Sequence, residues 1–150
     1  MSAEMVPQPP LKLDELITQN RDIARLAIAT TEQVATLSRI IPPVSDDDLR
    51  GAVSDWRFIA YEVTLPREPV VTHVHLLGDN AAHGTGTKVT SPVVAIDLAT
   101  RLVVTHSGSI YRLIGEGGNG EPTFHQLLQV CGAFWYWGRG EALGVLHVFY

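Results

Sequence analysis

The feature that most constrains this chain is the stretch from Leu11 to Ile41, which contains neither proline nor glycine. Pro42 and Pro43 follow directly, and proline ends a helix because it lacks the N–H donor. These limits predict a long helix over residues 11–42. At 1.5 Å per residue it would measure about 45 Å. The rest of the chain would form a narrower domain, which favours a partner for part of this helix.

Apolar residues along the stretch recur with the seven-residue spacing of a coiled coil. Asn20 falls at a seam position, where a buried asparagine can fix register and the number of strands. We therefore expect a homo-oligomer that associates through a seam of interaction residues. The alternative is one amphipathic helix packed on its own domain, since Ile17, Leu26, Ile28 and Ile40 widen the apolar face. The expected interaction residues of the seam are Leu13, Leu16, Asn20, Ile23, Val34 and Leu37.

The rest of the chain has the pattern of a single α+β domain over residues 43–150, preceded by a disordered tail at residues 1–10. A short helix is expected from Ser45 to about Val53, and Thr123 is the expected cap of a longer helix at 124–137. The predicted fold is α+β: a long N-terminal helix, then a mainly antiparallel β-sheet with one further helix packed on it. Strands are expected at residues 56–65, 70–77, 92–97, 101–108, 109–115 and 143–150.

Charge and composition argue against several classes of protein. Eleven basic and sixteen acidic side chains give a net charge of −5, and no Lys/Arg cluster occurs, so nucleic acid is not an expected partner. No apolar stretch is long enough for a membrane span, and the first residues lack the pattern of a secretion signal. A single cysteine excludes an intrachain disulfide. The expected location is the cytoplasm.

Three of the six histidines lie in the segment "VVTHVHLLGDNAAHGTG", residues 70–86. His73 and His75 would share one face of a strand, as imidazoles that bind one zinc or iron ion do. Asp79, His83 and His106 are the candidates that could complete such a metal site. The alternative is a half-exposed strand face that simply carries two histidines between Val71 and Leu77. The cofactor is therefore unknown, with zinc or iron as the candidates.

The spacing of His73-x-His75, Asp79 and Gly86 resembles the first motif of the cupin family. That resemblance implies metal ligands at His73, His75 and Asp79, with His106 in place of the histidine of the second motif. The resemblance covers only these residues. Aspartate stands where the family has glutamate, the preceding glycine is missing, and no second motif follows.

Three other patterns do not predict chemistry. "GEGGNG" at 115–120 has the glycine spacing of a dinucleotide-binding loop, but proline follows it and antiparallel hairpins precede it, so we expect a flexible loop. His106 and Ser107 are neighbours on a strand and would point to opposite faces. Cys131 shares a helix face with Leu127 and Trp135, which predicts a buried thiol rather than a nucleophile.

The densest aromatic patch is "AFWYWGRG" at 133–140. Its four consecutive aromatic residues would point around most of a helix, so they cannot all enter one core. At least one of them should lie at a boundary, an interface or the mouth of a pocket, where aromatic side chains carry much of the binding energy. The candidate interaction residues are Phe134, Trp135, Tyr136 and Trp137. The alternative is a helix whose aromatic side chains are covered by the long N-terminal helix and the sheet.

Together these patterns favour a non-enzymatic protein-interaction or regulatory module of bacterial or phage origin that self-associates through its N-terminal helix. No catalytic residue is assigned. One alternative is a mononuclear metal-dependent enzyme or sensor that uses His73 and His75. Another is a small acidic inhibitor protein carried by a mobile element or phage.

Overall fold

The computed structural model describes residues 12–80 and 86–147. Within these ranges the chain forms six strands and three short α-helices, so the protein is mostly β-sheet. The expected α+β fold with a long N-terminal helix is therefore wrong. The strands are β1 Ala24–Ile28, β2 Gly51–Val63, β3 Val71–Asn80, β4 Thr87–Asp97, β5 Leu102–Thr105 and β6 Ile110–Leu113. The helices are α1 Thr31–Thr36, α2 Phe124–Tyr136 and α3 Gly140–Leu143, with one-turn 3-10 helices at Leu13–Glu15 and Asp46–Asp48.

The seam expected on one long helix is distributed over several elements. Leu13 and Leu16 lie in or beside the first 3-10 turn, and both are buried. Ile23 lies in the turn before β1. Val34 belongs to α1 and Leu37 caps its C-terminus, where both pack against the core of the sheet. No continuous helical seam exists along residues 12–42, so a coiled coil cannot form there.

The local sequence explains why this stretch is not one helix. β1 alternates between buried Ala24 and Leu26 and exposed Arg25 and Ala27. This two-residue period is typical of a strand and was hidden within the seven-residue spacing. Asn20 adopts a positive φ of 58°, a conformation that asparagine tolerates but that a helix cannot contain. Its side chain donates a hydrogen bond to the carbonyl of Ala142 at 2.7 Å.

The sheet closes on itself. From β2 to β6 each strand pairs antiparallel with the next, and β6 then pairs in parallel with Gly51–Val53 at the start of β2. The second half of β2 pairs antiparallel with β1. β2 can pair with β6 in its first half and with β1 in its second half because its register shifts between Ser54 and Arg57. Asp55, within this irregularity, has a φ of 47°. Such a bulge bends the strand and increases its twist.

The closed ring of strands separates two apolar cores. Alternate residues of β3, Val74 and Leu76, point into the ring, and Leu77 points outward. The outer core lies between the sheet and the helices α2 and α3. Leu13 and Leu16 belong to this outer core, so the first described residues pack in the same body as the last helices.

Several local predictions are confirmed. The strands β2 and β3, the β4–β5 hairpin, β6 and α2 occur where the sequence places them. Thr123 caps α2 in a capping box with Gln126. Two predictions are wrong: Asp46–Asp48 is only a 3-10 turn before β2, and the described residues of the expected last strand, up to His147, form no strand. The predicted tail at residues 1–10 lies outside the described residues. No helix in the described ranges is long and apolar enough to cross a membrane.

Candidate binding surface

Helix α2 presents its aromatic run at the C-terminal end. Its buried face carries Leu127, Val130, Cys131 and Phe134, whose spacing of three and four residues is that of an amphipathic helix. The helix ends at Tyr136, and the chain turns through residues 137–139 into α3. The turn lies over the outer face of the sheet, beside β3 and β4.

The four consecutive aromatic residues are placed in different environments, as the sequence predicted. Phe134, one of the expected interaction residues, is 1% exposed and packs edge-on against Tyr61, with ring centroids 5.0 Å apart, so it belongs to the core instead. Trp135 is half-buried, and its Nε1 donates a hydrogen bond to the carbonyl of Val145 at 2.9 Å. Tyr136 is 89% exposed, although it is a large aromatic side chain. Trp137 is half-buried, so its exposure lies between that of Phe134 and that of Tyr136.

An open groove of about 620 Å³ runs between α2 and the start of β4. Its floor contains the small residues Gly132 and Ala133, and Gln129 and Thr87 supply polar groups. The walls are aromatic. We call this the aromatic groove; its lining residues are Thr87, Lys88, Val89, Gln129, Gly132, Ala133, Trp135, Tyr136, Trp137 and His147.

His75, one of the expected metal ligands, is a buried residue held under Trp137. It is 3% exposed, and its ring stacks on Trp137 with centroids 4.9 Å apart. Its Nδ1 lies 2.8 Å from the carbonyl oxygen of Thr90. Because a carbonyl only accepts, Nδ1 carries the proton and Nε2 is the unprotonated nitrogen. Nε2 is buried and has no hydrogen-bond partner among the described residues.

This environment disfavours a charged imidazole. Burial is the main cause that lowers the pKa of His75 below 6.5, and the charges of His73 and Arg139 lower it further. The hydrogen bond to Thr90 acts in the opposite direction but is the smaller effect. His75 is therefore neutral at pH 7 and contributes packing rather than charge.

The other expected metal ligands lie in separate places. His73 is half-buried, His106 is exposed in the turn after β5, and both line a second cavity of about 620 Å³ between α1 and the strands. Asp79 instead accepts hydrogen bonds from Thr87 at 3.2 Å and Gln126 at 3.3 Å. Among the residues that the structure describes, no three His, Cys, Asp or Glu side chains are grouped as a metal ion would require. His83 lies outside the described residues.

The glycine loop at 115–120 is held by a buried arginine that sequence reasoning missed. Arg57 is 7% exposed, and its guanidinium donates to the carbonyls of Asn119 at 3.3 Å and Gly120 at 3.1 Å. It also donates to the side chain of Gln126 at 2.8 Å and pairs with Asp55 at 3.2 Å. The loop therefore directs its carbonyls at a protein side chain, whereas a dinucleotide loop directs N–H groups at phosphate.

The reactive side chains elsewhere are arranged for packing. Cys131 is fully buried, and burial raises its pKa to about 11, so it carries no thiolate at neutral pH. Ser107 shares hydrogen bonds of 3.0 Å with Ser91 and Thr105, in a cluster of hydroxyl groups at the β5–β6 turn.

Comparison of the chain with protein-family models, with curated proteins and with solved structures finds no match. Among the described residues, the most exposed aromatic side chain, Tyr136, lies at the aromatic groove.

Proposed function

We propose that the protein is a non-enzymatic binding module that takes an extended segment of a partner protein into the aromatic groove. The observation that carries this proposal is Tyr136, an aromatic side chain that is 89% exposed beside a concave, aromatic-walled surface. Tyrosine and tryptophan dominate the binding energy of many interfaces because they bury a large area at a low cost in side-chain entropy.

The groove is already held in its binding shape. Trp135 is fixed by its hydrogen bond to Val145 and by a stacked contact with His147 at 4.0 Å between centroids. Trp137 is fixed between His75 and Phe134, with centroid distances of 4.9 and 5.6 Å. Rigid aromatic walls reduce the entropy lost on association.

The chemistry of the groove favours a neutral, proline-rich segment. Two basic side chains, Lys88 and His147, are among its lining residues. The ammonium of Lys88 lies 5.9 Å from the ring centroid of Tyr111, a cation–π contact within the protein itself. Among the residues that the structure describes, no carboxylate lines the groove. Proline-rich segments in the polyproline II conformation dock in aromatic-lined grooves because they lose little entropy on binding. Gln129, Thr87 and the hydroxyl of Tyr136 can bond to the carbonyls of such a segment.

The compartment that suits this module is the cytoplasm, since a chain with one free cysteine has none of the disulfides that are typical of small secreted domains.

The test is to select peptides from a display library on the full chain and then to measure the selected peptides by calorimetry. We expect proline-rich sequences to be enriched. Tyr136→Ala should weaken their binding about 30-fold, which corresponds to the roughly 2 kcal/mol of a typical hot-spot residue. Ile40→Ala is the matched control, because Ile40 is 93% exposed and lies outside the groove.

Two results would overturn the proposal. One is a selection that enriches no proline-rich sequence. The other is a set of enriched peptides that bind Tyr136→Ala as tightly as the unchanged chain. Binding should also change little between low and high salt, since the proposed contacts are not ionic.

A further inference from the structure

A third, smaller cavity lies on the other side of the α2–α3 turn from the aromatic groove. It has a volume of about 420 Å³, within the range of roughly 300–1,000 Å³ that is usual for small-molecule sites. Two cross-strand pairs, Tyr61 with His73 and Val63 with Val71, form its base. We call it the Arg139 cavity; residues Gly138, Arg139, Ala142 and Leu143 complete its lining.

Arg139 brings an unpaired positive charge to this cavity. The guanidinium carbon lies 5.2 Å from the ring centroid of Tyr61, a cation–π contact that holds it over the base. The two ion pairs of the described residues involve other arginines, Arg57 and Arg112. Within residues 12–80 and 86–147 no carboxylate lines the cavity, although the whole chain carries a net charge of −5. The N–H donors of Arg139 are therefore free to bind a carboxylate in the bidentate geometry that guanidinium favours.

Tyr61 supplies a second polar group. Its side chain is only 5% exposed, and its hydroxyl has no hydrogen-bond partner in the part of the chain that the structure describes. The hydroxyl itself is not enclosed, because His75 Nε2 is the only buried side-chain N or O atom without a partner among the described residues. It is therefore accessible at the cavity that Tyr61 lines, where it can donate a hydrogen bond to a ligand. His73 adds an imidazole on the neighbouring strand.

The rest of the lining is aliphatic. Val63, Val71, Ala142 and Leu143 face the same cavity as the arginine. A ligand that fits both parts has one anionic group and an apolar stem. One guanidinium balances one negative charge, which favours a monocarboxylate.

We propose that the Arg139 cavity binds a carboxylate carried on a short apolar stem. The carboxylate accepts hydrogen bonds from Arg139 and Tyr61, and the stem packs against Val63, Val71 and Leu143. This site is separate from the aromatic groove and does not depend on the function proposed for it. The carboxylate can come from a free alkyl acid or from the C-terminus of a peptide that ends in an aliphatic residue.

The test uses the full chain and measures binding of hexanoate, with hexanol as the uncharged comparator. We expect hexanoate to bind and hexanol to bind at least tenfold more weakly. Arg139→Gln should weaken hexanoate at least tenfold, and Tyr61→Phe should weaken it severalfold. Arg50→Gln is the matched control, since Arg50 is exposed and is not one of the residues that line the Arg139 cavity.

The variant Arg139→Gln is expected to fold, because this side chain is exposed and makes no hydrogen bond to the described residues. Circular dichroism checks that Arg139→Gln is folded. Arg139→Lys should bind hexanoate with an intermediate affinity, because lysine keeps the charge but loses the bidentate geometry. The proposal is overturned if neither hexanoate nor a leucine-terminated peptide binds. It is also overturned if hexanol binds as well as hexanoate, or if Arg139→Gln binds unchanged.

A further arm distinguishes the two sources of the carboxylate. A short peptide ending in leucine is compared with its C-terminal amide. If hexanoate binds more tightly than the peptide, the natural ligand is a small acid; if the free-acid peptide binds more tightly and the amide does not bind, it is a chain terminus. Tyr136→Ala should leave either result unchanged, so failure here and failure of the aromatic groove are separable.

Discussion

The two ion pairs of the described residues differ in burial, which allows a direct prediction of what each contributes to stability. Arg57 is 7% exposed and pairs with Asp55 at 3.2 Å. Arg112 is 38% exposed and pairs at 3.3 Å with Asp46, which is 85% exposed. We predict that Arg57→Met destabilises the protein strongly and that Arg112→Met does not.

The expected size of the first effect follows from the hydrogen bonds that methionine cannot make. Arg57 donates to the side chain of Gln126 and to the carbonyls of Asp55, Asn119 and Gly120. Each bond contributes about 0.5–1.5 kcal/mol net. Water can reach the loop carbonyls after substitution, so those losses lie at the low end. Gln126 is fully buried, but its Oε1 still accepts from the N–H of Thr123. We therefore expect a loss of about 2–4 kcal/mol in the free energy of unfolding.

Methionine keeps most of the aliphatic volume of the arginine stem, so the measured loss reflects mainly the guanidinium. The exposed pair should contribute no more than about 1 kcal/mol. Urea unfolding followed by tryptophan fluorescence measures both variants, and Tm should fall by about 5–15 °C for Arg57→Met. If Arg57→Met loses no more stability than Arg112→Met, the buried arginine does not anchor the glycine loop and the reasoning is refuted.

Three further predictions concern His75, Gly140 and Cys131. Because the pKa of His75 is lowered below 6.5 in the folded protein, the stability that its neutral form provides is complete above pH 6.5 and is lost as the pH falls towards the folded pKa. Over that pH window the free energy of unfolding should change by at most about 1.4 kcal/mol per pH unit because of His75. Urea unfolding of His75→Leu at the same pH values should lack this change, and an equal pH dependence in both proteins would contradict the reasoning. A Cβ at Gly140 would overlap the indole ring of Trp135, so Gly140→Ala should cost about 1–3 kcal/mol and shift the tryptophan emission, whereas an unchanged spectrum and stability would show that the ring is free to move. Cys131, with a pKa raised to about 11, should not react with a thiol reagent at pH 7.5 until urea unfolds the chain, and rapid reaction of the native protein would contradict its burial.

The parts of the fold that the sequence predicted are those encoded by neighbouring residues. The β4–β5 hairpin follows from local alternation and its turn, and α2 follows from the capping box of Thr123 and Gln126. Strand β1 depends on a distant partner, since Leu26 lies opposite Tyr61. The spacing of apolar residues at 24–28 fits a helical seam equally well, and only the pairing with β2 selects the strand. The parallel closure between β2 and β6 has no local signal for the same reason.

In the candidate sites, too, the sequence predicted local features but not the contacts between distant residues. Alternation correctly placed His73 and His75 on one face of β3, and the sequence correctly predicted that the four aromatic residues do not all enter the core. It did not indicate which of the four would be buried. The sequence did not show that Trp137 would cover His75, a contact across more than sixty residues that leaves the imidazole stacked on a ring. It also gave no sign that Arg139 would lie over Tyr61. Each contact depends on the path of the α2–α3 turn, which packing against the sheet determines.

That turn also connects the two proposed sites. Trp137 forms a wall of the aromatic groove, and Arg139, two residues later, reaches over the other cavity. Between them Gly138 adopts a φ of 78°, which a residue with a Cβ reaches only with strain. A substitution such as Gly138→Val should therefore displace both side chains together, and weaken peptide binding and carboxylate binding at once. Tyr136→Ala and Arg139→Gln should each weaken only one, because each removes a side chain and leaves the path of the turn unchanged.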